Sequence, residues 1–245
     1  MIHQRTQAVL KNRSSGWIMC VANQEKAVEL AKRLILDVIW KTANIEIDGI
    51  AFPDAEAIFE GYAPEGMSVN DIVIVNNIKR AWMFLIDNAM YPLDWSYVSE
   101  YNQILGEGGI VCAPGTLRQI GVRISGTSWI PELPSVPGVH NCIAEISRIE
   151  DPQARAMQTF CDITRGQWFN DGNKRTAIMA ANHVLINSGI GVFSIAPSLK
   201  QEFMTKLLRY YKTNDSTDLS AWLRERAIGH LPRGLTLAEG KRRTN

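Results

Sequence analysis

The chain has no uninterrupted apolar stretch approaching the ~18 residues that a membrane-spanning helix requires, and its opening, Met-Ile-His-Gln-Arg-Thr-Gln, is too polar to lead a signal peptide. It has no excess of either charge. With 26 Lys plus Arg against 25 Asp plus Glu the formal charge is +1, so no net field recommends nucleic acid or an anionic membrane as a partner. Cysteine is sparse: Cys20, Cys112, Cys142 and Cys161 stand far apart, without the spacing of a zinc knuckle or a redox pair, which suits a reducing compartment. Repeats, low-complexity blocks and linkers are missing as well, leaving one domain with room for a substantial core among 245 residues. These absences predict a soluble, cytoplasmic protein with no membrane or nucleic-acid partner.

What is present is mainly helical periodicity. Residues 1–23 read as an irregular lead, 24–230 as a single domain and 231–245 as a flexible tail. From 24 to about 46, Ala27, Leu30, Ala31, Leu34, Ile35, Val38 and Ile39 recur at helical spacing between charged residues. Pro53 opens a short helix that Gly61 closes, and Ser68 with Asp71 caps a longer one over 69–88. Further helices are predicted over 94–105, from about 139 to 165, and over 173–188, 198–211 and 218–227. The helix over 173–188 is expected to present one apolar face through Ile178, Ala181 and Leu185. The single strand signal lies at 119–125, where Ile120, Val122 and Ile124 alternate with Gln119, Gly121, Arg123 and Ser125. It reads as one arm of a hairpin, and the proline-rich run after it confines any return arm to an edge.

The densest chemistry lies in the nine residues from 167 to 175, Gln-Trp-Phe-Asn-Asp-Gly-Asn-Lys-Arg. Asp171 can hold a divalent cation, Gly172 lets the backbone approach an anion, and Asn173, Lys174 and Arg175 supply donors where a helix begins. A loop of this composition at a helix N-terminus suits the phosphates of a nucleotide.

This run resembles the signature of the Fic/Doc family, H-P-F-x-[DE]-G-N-[GK]-R, with Phe169, Asp171, Gly172, Asn173, Lys174 and Arg175 at matching positions. The resemblance implies a mainly α fold, a Fic-type helical bundle with a short β-hairpin flap. It also implies binding of ATP or a related nucleotide with Mg²⁺, and transfer of AMP to a hydroxyl of a target protein. Two departures stand out: the family histidine is Gln167 and the proline is Trp168. That histidine is the family's general base, a task for a group titrating near neutral pH, which an amide cannot perform. Upstream, Gly115, Arg118, Val122, Ile124 and Gly126 fit the pattern that precedes the family's flap, so that Gln119, Ile120, Gly121, Val122, Arg123 and Ile124 would dock a target segment by strand addition. Thr42 and Glu46 sit at the spacing of the family's inhibitory helix, whose glutamate reaches the phosphate-binding arginines, although Ile47 departs from the usual Gly or Asn. A second arginine common in AMP-transferring relatives is replaced by Ile178, so any cationic partner of Glu46 must be Lys174 or Arg175. The ending Asn-Lys-Arg-Thr is similar to the branch containing the Doc toxin, which implies phosphoryl transfer as an alternative.

The remaining candidates are read as structural. His140 and His183 lie away from the loop in register, Trp168 suits packing beneath it, and Lys206, Arg209, Tyr210, Tyr211 and Lys212 read as a solvated basic-aromatic face. Two functions stay open: an active or altered transferase, and a non-catalytic module that binds a nucleotide or a partner with the same loop.

Overall fold

The computed structural model describes residues 23–230. The expected lead and the tail over 231–245 lie outside the described residues, apart from residue 23, which is helical. The first helical stretch is continuous in hydrogen bonding but not in geometry. Helix α1 (residues 23–33) yields at Leu34 (φ −96°, ψ 5°) to α2 (Ile35–Glu46), while Leu34 N still donates to Leu30 O at 3.0 Å and Val38 N to Leu34 O at 2.9 Å. Next come α3 (Phe52–Glu60), closed by Gly61 in the left-handed region (φ 96°), and α4 (Val69–Asn88), where Ser68 Oγ accepts from Asp71 N at 3.1 Å. Asp94 caps α5 (Trp95–Gly106) by accepting from Tyr97 N, and Ser135 caps α6 (Val136–Ser147) through Gly138 N. Asp151 caps α7 (Pro152–Gly166) through two amides, with Pro152 in the first turn. After α8 (Asn173–Asn187), a 3₁₀ turn (Pro197–Leu199) leads into α9 (Lys200–Thr213) and then α10 (Thr217–Arg226).

Helix α8 is the axis of the bundle. The expected single apolar face is too narrow: every residue from Asn173 to Ile186 except Lys174 is buried. Ala177, Ala180 and Ala181 permit close approach on several sides, and Asn182 and His183 find fixed partners. Asn182 bonds the backbone N and O of Phe193 at 2.7 and 2.8 Å, and His183 lies between Tyr101 Oη and Tyr91 O at 2.7 and 2.8 Å. Because a carbonyl only accepts, His183 Nε2 must carry the proton, which makes Nδ1 the acceptor from Tyr101. That neutral histidine is structural, as expected. Burial holds its pKa below the usual value.

A small antiparallel sheet accompanies the helices, as the fold class expects, but it lies elsewhere in the chain. Strand β1 (Gly191–Phe193) pairs with β2 (Ile228–His230), Val192 opposite Gly229. A Cβ at Gly191 would stand 2.0 Å from Gly229 O, so this crossing requires glycine. Residues 119–125 form no ladder and include a bend at Ile120 and a turn at Ser125; the nearest bridge pairs Leu117 with Phe169. The strand expected there is corrected to an irregular segment without a ladder partner. The cause is Arg118, 2% exposed, whose Nη1 donates to Ile120 O at 2.8 Å and whose Nη2 reaches Pro131 O at 3.2 Å and Glu132 O. One guanidinium does what ladder amides would otherwise do, beside a return segment in which Pro131 and Pro134 cannot donate. No helix among the described residues is long and apolar enough to cross a membrane.

Candidate functional site

Helix α7 ends as Gln167 adopts left-handed geometry (φ 46°), and α8 begins after Gly172 does the same (φ 75°). The loop between them is closed by Asn173. Its Oδ1 accepts from Phe169 N at 3.0 Å, and its Nδ2 donates to Phe169 O at 2.9 Å and to Gln167 Oε1 at 3.3 Å. Neighbouring segments pin the loop from outside. Arg118 donates through Nε to Gln167 O at 2.5 Å and through its backbone N to Trp168 O at 2.9 Å. Asn102 on α5, fully buried, donates to Asp171 O at 2.9 Å and Thr176 Oγ1 at 3.1 Å while accepting from Gly115 N at 2.9 Å. Trp95 stacks on Phe169 at 5.7 Å and meets Trp168 edge-on at 6.4 Å. Trp168 is therefore a packing residue behind the loop, as the sequence suggests. Asn102 escapes sequence reading, since its only signal is a polar residue at a core register of an amphipathic helix.

The charged residues meet in front of the loop. Arg175 is 2% exposed, and its Nε and Nη1 have no hydrogen-bond partner among the described residues. Glu46, the last residue of α2, places Oε1 at 3.8 Å from Arg175 Nε and 3.6 Å from Lys174 Nζ. These are ion-pair distances without hydrogen bonds. The carboxylate also lies near the N-terminal turn of α8, where the helix dipole favours negative charge. Gly172 leaves the cradle open: a Cβ there would come within 3.3 Å of Asn102 Nδ2 and 3.6 Å of Arg175 Nη2. Asp171 is exposed, and its Oδ1 accepts from Gly172 N at 2.6 Å, which leaves Oδ2 for a ligand. No cluster of three His, Cys, Asp or Glu occurs among the described residues, so any cation here would rely on one carboxylate plus oxygens from a substrate and water, a mode natural to Mg²⁺.

Gln167 has little freedom. Its Nε2 donates to Thr164 O at 2.6 Å while its Oε1 accepts from Asn173. Tyr211 on α9 lies against Thr164, Gln167 and Glu46, and burial drives its pKa well above the ordinary value, so it stays protonated. The structure thus brings together Gln167, Phe169, Asp171, Gly172, Asn173, Lys174, Arg175 and Glu46. Thr42 does not join them: it is buried and donates to Val38 O at 2.7 Å within its own helix. Along residues 119–124, Gln119, Ile120, Gly121 and Arg123 are exposed, with Val122 and Ile124 half-buried. The basic-aromatic patch divides, because Tyr210 and Tyr211 are buried while Lys206 and Arg209 pair with Asp218 at 3.1 and 3.3 Å. His140 lies exposed against Trp95. Two cavities of ≈ 270 and ≈ 710 Å³ lie behind the loop and share Trp168 as a wall. Neither is lined by Lys174 or Arg175, whose facing space Glu46 occupies.

No family model and no curated protein matches the chain. Among solved structures it resembles residues 134–508 of Fic-1 from C. elegans, with a TM-score of 0.71 at 16% identity, covering 91% of this chain and 72% of that one. It also resembles a Fic domain containing signaling protein from Bacteroides thetaiotaomicron, with a TM-score of 0.62 at 18% identity over 75% of this chain and 74% of the other. A Fic family protein from Desulfovibrio desulfuricans G20 gives 0.63 at 15% identity over 84% and 70%. Such identities speak of the fold, and the fold is that of Fic-domain proteins.

Proposed function

We propose that this chain is a Fic-type protein that holds the phosphates of ATP or a related nucleotide over residues 171–175, resembling enzymes that move AMP from ATP to a hydroxyl of a target protein, with its own transfer step impaired. One observation carries the phosphate reading: the buried Arg175 guanidinium with two unpartnered nitrogens, faced by a carboxylate that makes no hydrogen bond to it. A buried cation left this way is costly, and an anion with several acceptor oxygens would satisfy it. The Glu46 carboxylate stands where such an oxygen would go, which gives it the inhibitory role. Asp171 Oδ2 would hold the Mg²⁺, which would neutralise charge on the phosphate oxygens. Residues 119–124 would hold the target segment, and the place of action would be the cytoplasm.

In AMP transfer the target hydroxyl oxygen bonds to the α-phosphorus, the α–β anhydride bond breaks and pyrophosphate leaves. The hydroxyl proton needs an acceptor. Gln167 stands at the position of that acceptor with an amide that does not take a proton, and losing a general base costs about 10²- to 10⁴-fold in rate. What remains is positioning by the loop and electrostatic stabilisation by Lys174 and Arg175, which carry much of phosphoryl chemistry. A second reading, a non-catalytic nucleotide- or partner-binding module, is favoured by the engagement of both ends of the Gln167 side chain.

The test incubates the protein and its Gln167→His variant with lysate, Mg²⁺ and ATP labelled at either the α- or the γ-phosphate. Label from the α-position in the variant, with weak or no label in the wild type, is the expected result. Label from the γ-position would instead establish Doc-like phosphoryl transfer. Nucleotide binding without labelling in either protein would establish the non-catalytic module, and absence of binding would refute the phosphate reading.

A further inference from the structure

The larger cavity, ≈ 710 Å³, lies between the return segment after residues 119–125, the start of α6 and the end of α7. Trp129, Val139, Trp168 and Tyr210 form its walls, and Arg165, Asp162 and Cys142 contribute its polar groups. Two donors in this lining are buried without a partner, Trp129 Nε1 and Arg165 Nε. The Arg165 guanidinium sits 4.2 Å from the Trp129 ring centre and 6.0 Å from that of Tyr210, which fixes the cation between two aromatic side chains. Among the described residues the Arg165 side chain forms neither a hydrogen bond nor an ion pair within 4.0 Å, although its charge is felt by Asp162. The carboxylate in the same cavity is already engaged: Asp162 Oδ1 accepts from Gln158 Nε2 at 2.8 Å, and its Oδ2 from Cys142 Sγ at 3.5 Å. Burial raises the pKa of Asp162 and pushes that of Cys142 up to about 12, so the thiol remains a donor.

The mouth differs in character from the floor. Ile130 and Leu133 on its rim, and Val136 beside it, are exposed by 60%, 58% and 58%, unusually apolar for solvent-facing positions so close together. The segment 119–125, which forms no ladder, approaches this mouth through Arg118, which bonds Ile120 O on one side and the carbonyls of Pro131 and Glu132 on the other. A half-buried cation with one buried, unpartnered nitrogen, a second such donor, an apolar rim and a nearby segment without a ladder partner together describe the requirements of one kind of ligand.

We propose that this cavity docks an extended polypeptide segment that places a carboxylate side chain, flanked by apolar residues, on Arg165 and Trp129. The carboxylate is specified because both open groups are donors and one is a cation. The polypeptide is specified by the apolar rim and by the adjacent segment 119–125, whose backbone has no ladder partner. Calling this segment part of a transfer target rests on the function proposed above; the contact itself does not. Glu132, which also lines the cavity, opposes an acidic ligand and sets a limit on its affinity.

The test uses the ¹⁵N-labelled protein without nucleotide and three acetylated, amidated peptides, Val-Ser-Leu-X-Leu-Ser-Val, with X as Glu, Gln or Lys. The Trp129 indole resonance, assigned with Trp129→Phe, is followed by NMR. The Glu peptide is expected to shift that resonance and to bind about tenfold or more tightly than the Gln peptide, since a charged hydrogen-bond partner is being removed. Arg165→Gln is expected to abolish the preference and Glu132→Gln to strengthen binding. Should Arg165→Gln fail to fold, Trp129→Phe, which removes the indole donor together with part of the ring against Arg165, is expected to weaken the Glu peptide more than the Gln peptide, as read by isothermal titration because the reporter resonance is then absent. Equal binding of the three peptides, or no shift at millimolar peptide, would overturn the proposal. Octanoate shifting the resonance as strongly as the Glu peptide would overturn it too, in favour of a small carboxylic acid. Because no nucleotide is present, a failure here leaves the phosphate reading untouched, and a failure to bind ATP leaves this contact standing.

Discussion

Replacing Glu46 with Gln should weaken the protein and strengthen its hold on phosphate at the same time. The carboxylate faces Lys174 at 3.6 Å and Arg175 at 3.8 Å, with 21% of the Glu46 side chain and 3% of that of Arg175 exposed. At an effective dielectric of about 20 each pair carries roughly 4 kcal/mol of gross attraction, most of it offset by desolvation of a buried cation. No hydrogen bond adds to it, so the net contribution is about 1–2 kcal/mol. The variant should therefore melt about 2–8 °C lower, at roughly 2–4 °C per kcal/mol for a chain of this size. An anionic ligand must displace Glu46 in the wild type but not in the variant, so inorganic tripolyphosphate or ATP should bind the variant about 5- to 30-fold more tightly. Saturating ligand should then raise its melting temperature by more than it raises that of the wild type. Isothermal titration and thermal denaturation, with and without ligand, read both effects. A variant of unchanged melting temperature that binds tripolyphosphate no better than the wild type would refute the idea that Glu46 occupies an anion site.

Three further outcomes follow from the same geometry. Asn102→Ala leaves Asp171 O and Gly115 N short of a buried partner and should cost about 2–4 kcal/mol in urea unfolding, with nucleotide affinity falling as the loop loosens. Arg118→Met removes the bonds to Ile120, Pro131 and Glu132 carbonyls, so limited proteolysis should cut between residues 119 and 134 where the wild type resists. For His183 the sign is fixed by its lowered pKa: below pH about 6.5 the unfolded chain takes up a proton that the folded chain refuses, so stability falls as pH drops from 7 to 5. The slope should reach at most about 1.4 kcal/mol per pH unit and be lost in His183→Gln, as urea midpoints at several pH values would show.

The parts of this fold that could be read from sequence are those whose causes are local. Ser68 and Asp71, or Pro53 and Gly61, set the ends of their helices through contacts three or four residues away. Helix α8 could not be read this way, because the partners that let Asn182 and His183 be buried come from Phe193, Tyr91 and Tyr101. Strands β1 and β2, three residues each, are too short to show alternation. The alternation at 119–125 is followed only in part, since Val122 and Ile124 are half-buried while Ile120 is exposed, and the segment is held by the Arg118 side chain rather than by a ladder. In the site, the chemistry of residues 167–175 was legible because it lies in one window, and Glu46 because its spacing is distinctive. Asn102, 69 residues from the Asp171 carbonyl it holds, was not.

This division bears on function. The loop keeps its shape through Asn173, Asn102 and Arg118, all of which bond backbone atoms within the protein, so its geometry persists whether or not any chemistry occurs. The retained loop is for that reason weak support for catalysis. Arg175 differs in kind, because among the described residues nothing hydrogen-bonds its Nε and Nη1, whereas the Arg118 guanidinium is bonded throughout. Gln167 differs in the opposite sense: its side chain is absorbed into the scaffold where a proton acceptor would have to face the substrate. On the function proposed above, phosphate binding and group transfer would therefore be separable, the first resting on a buried cation whose Nε and Nη1 make no hydrogen bond among the described residues and the second on a base that the sequence does not supply.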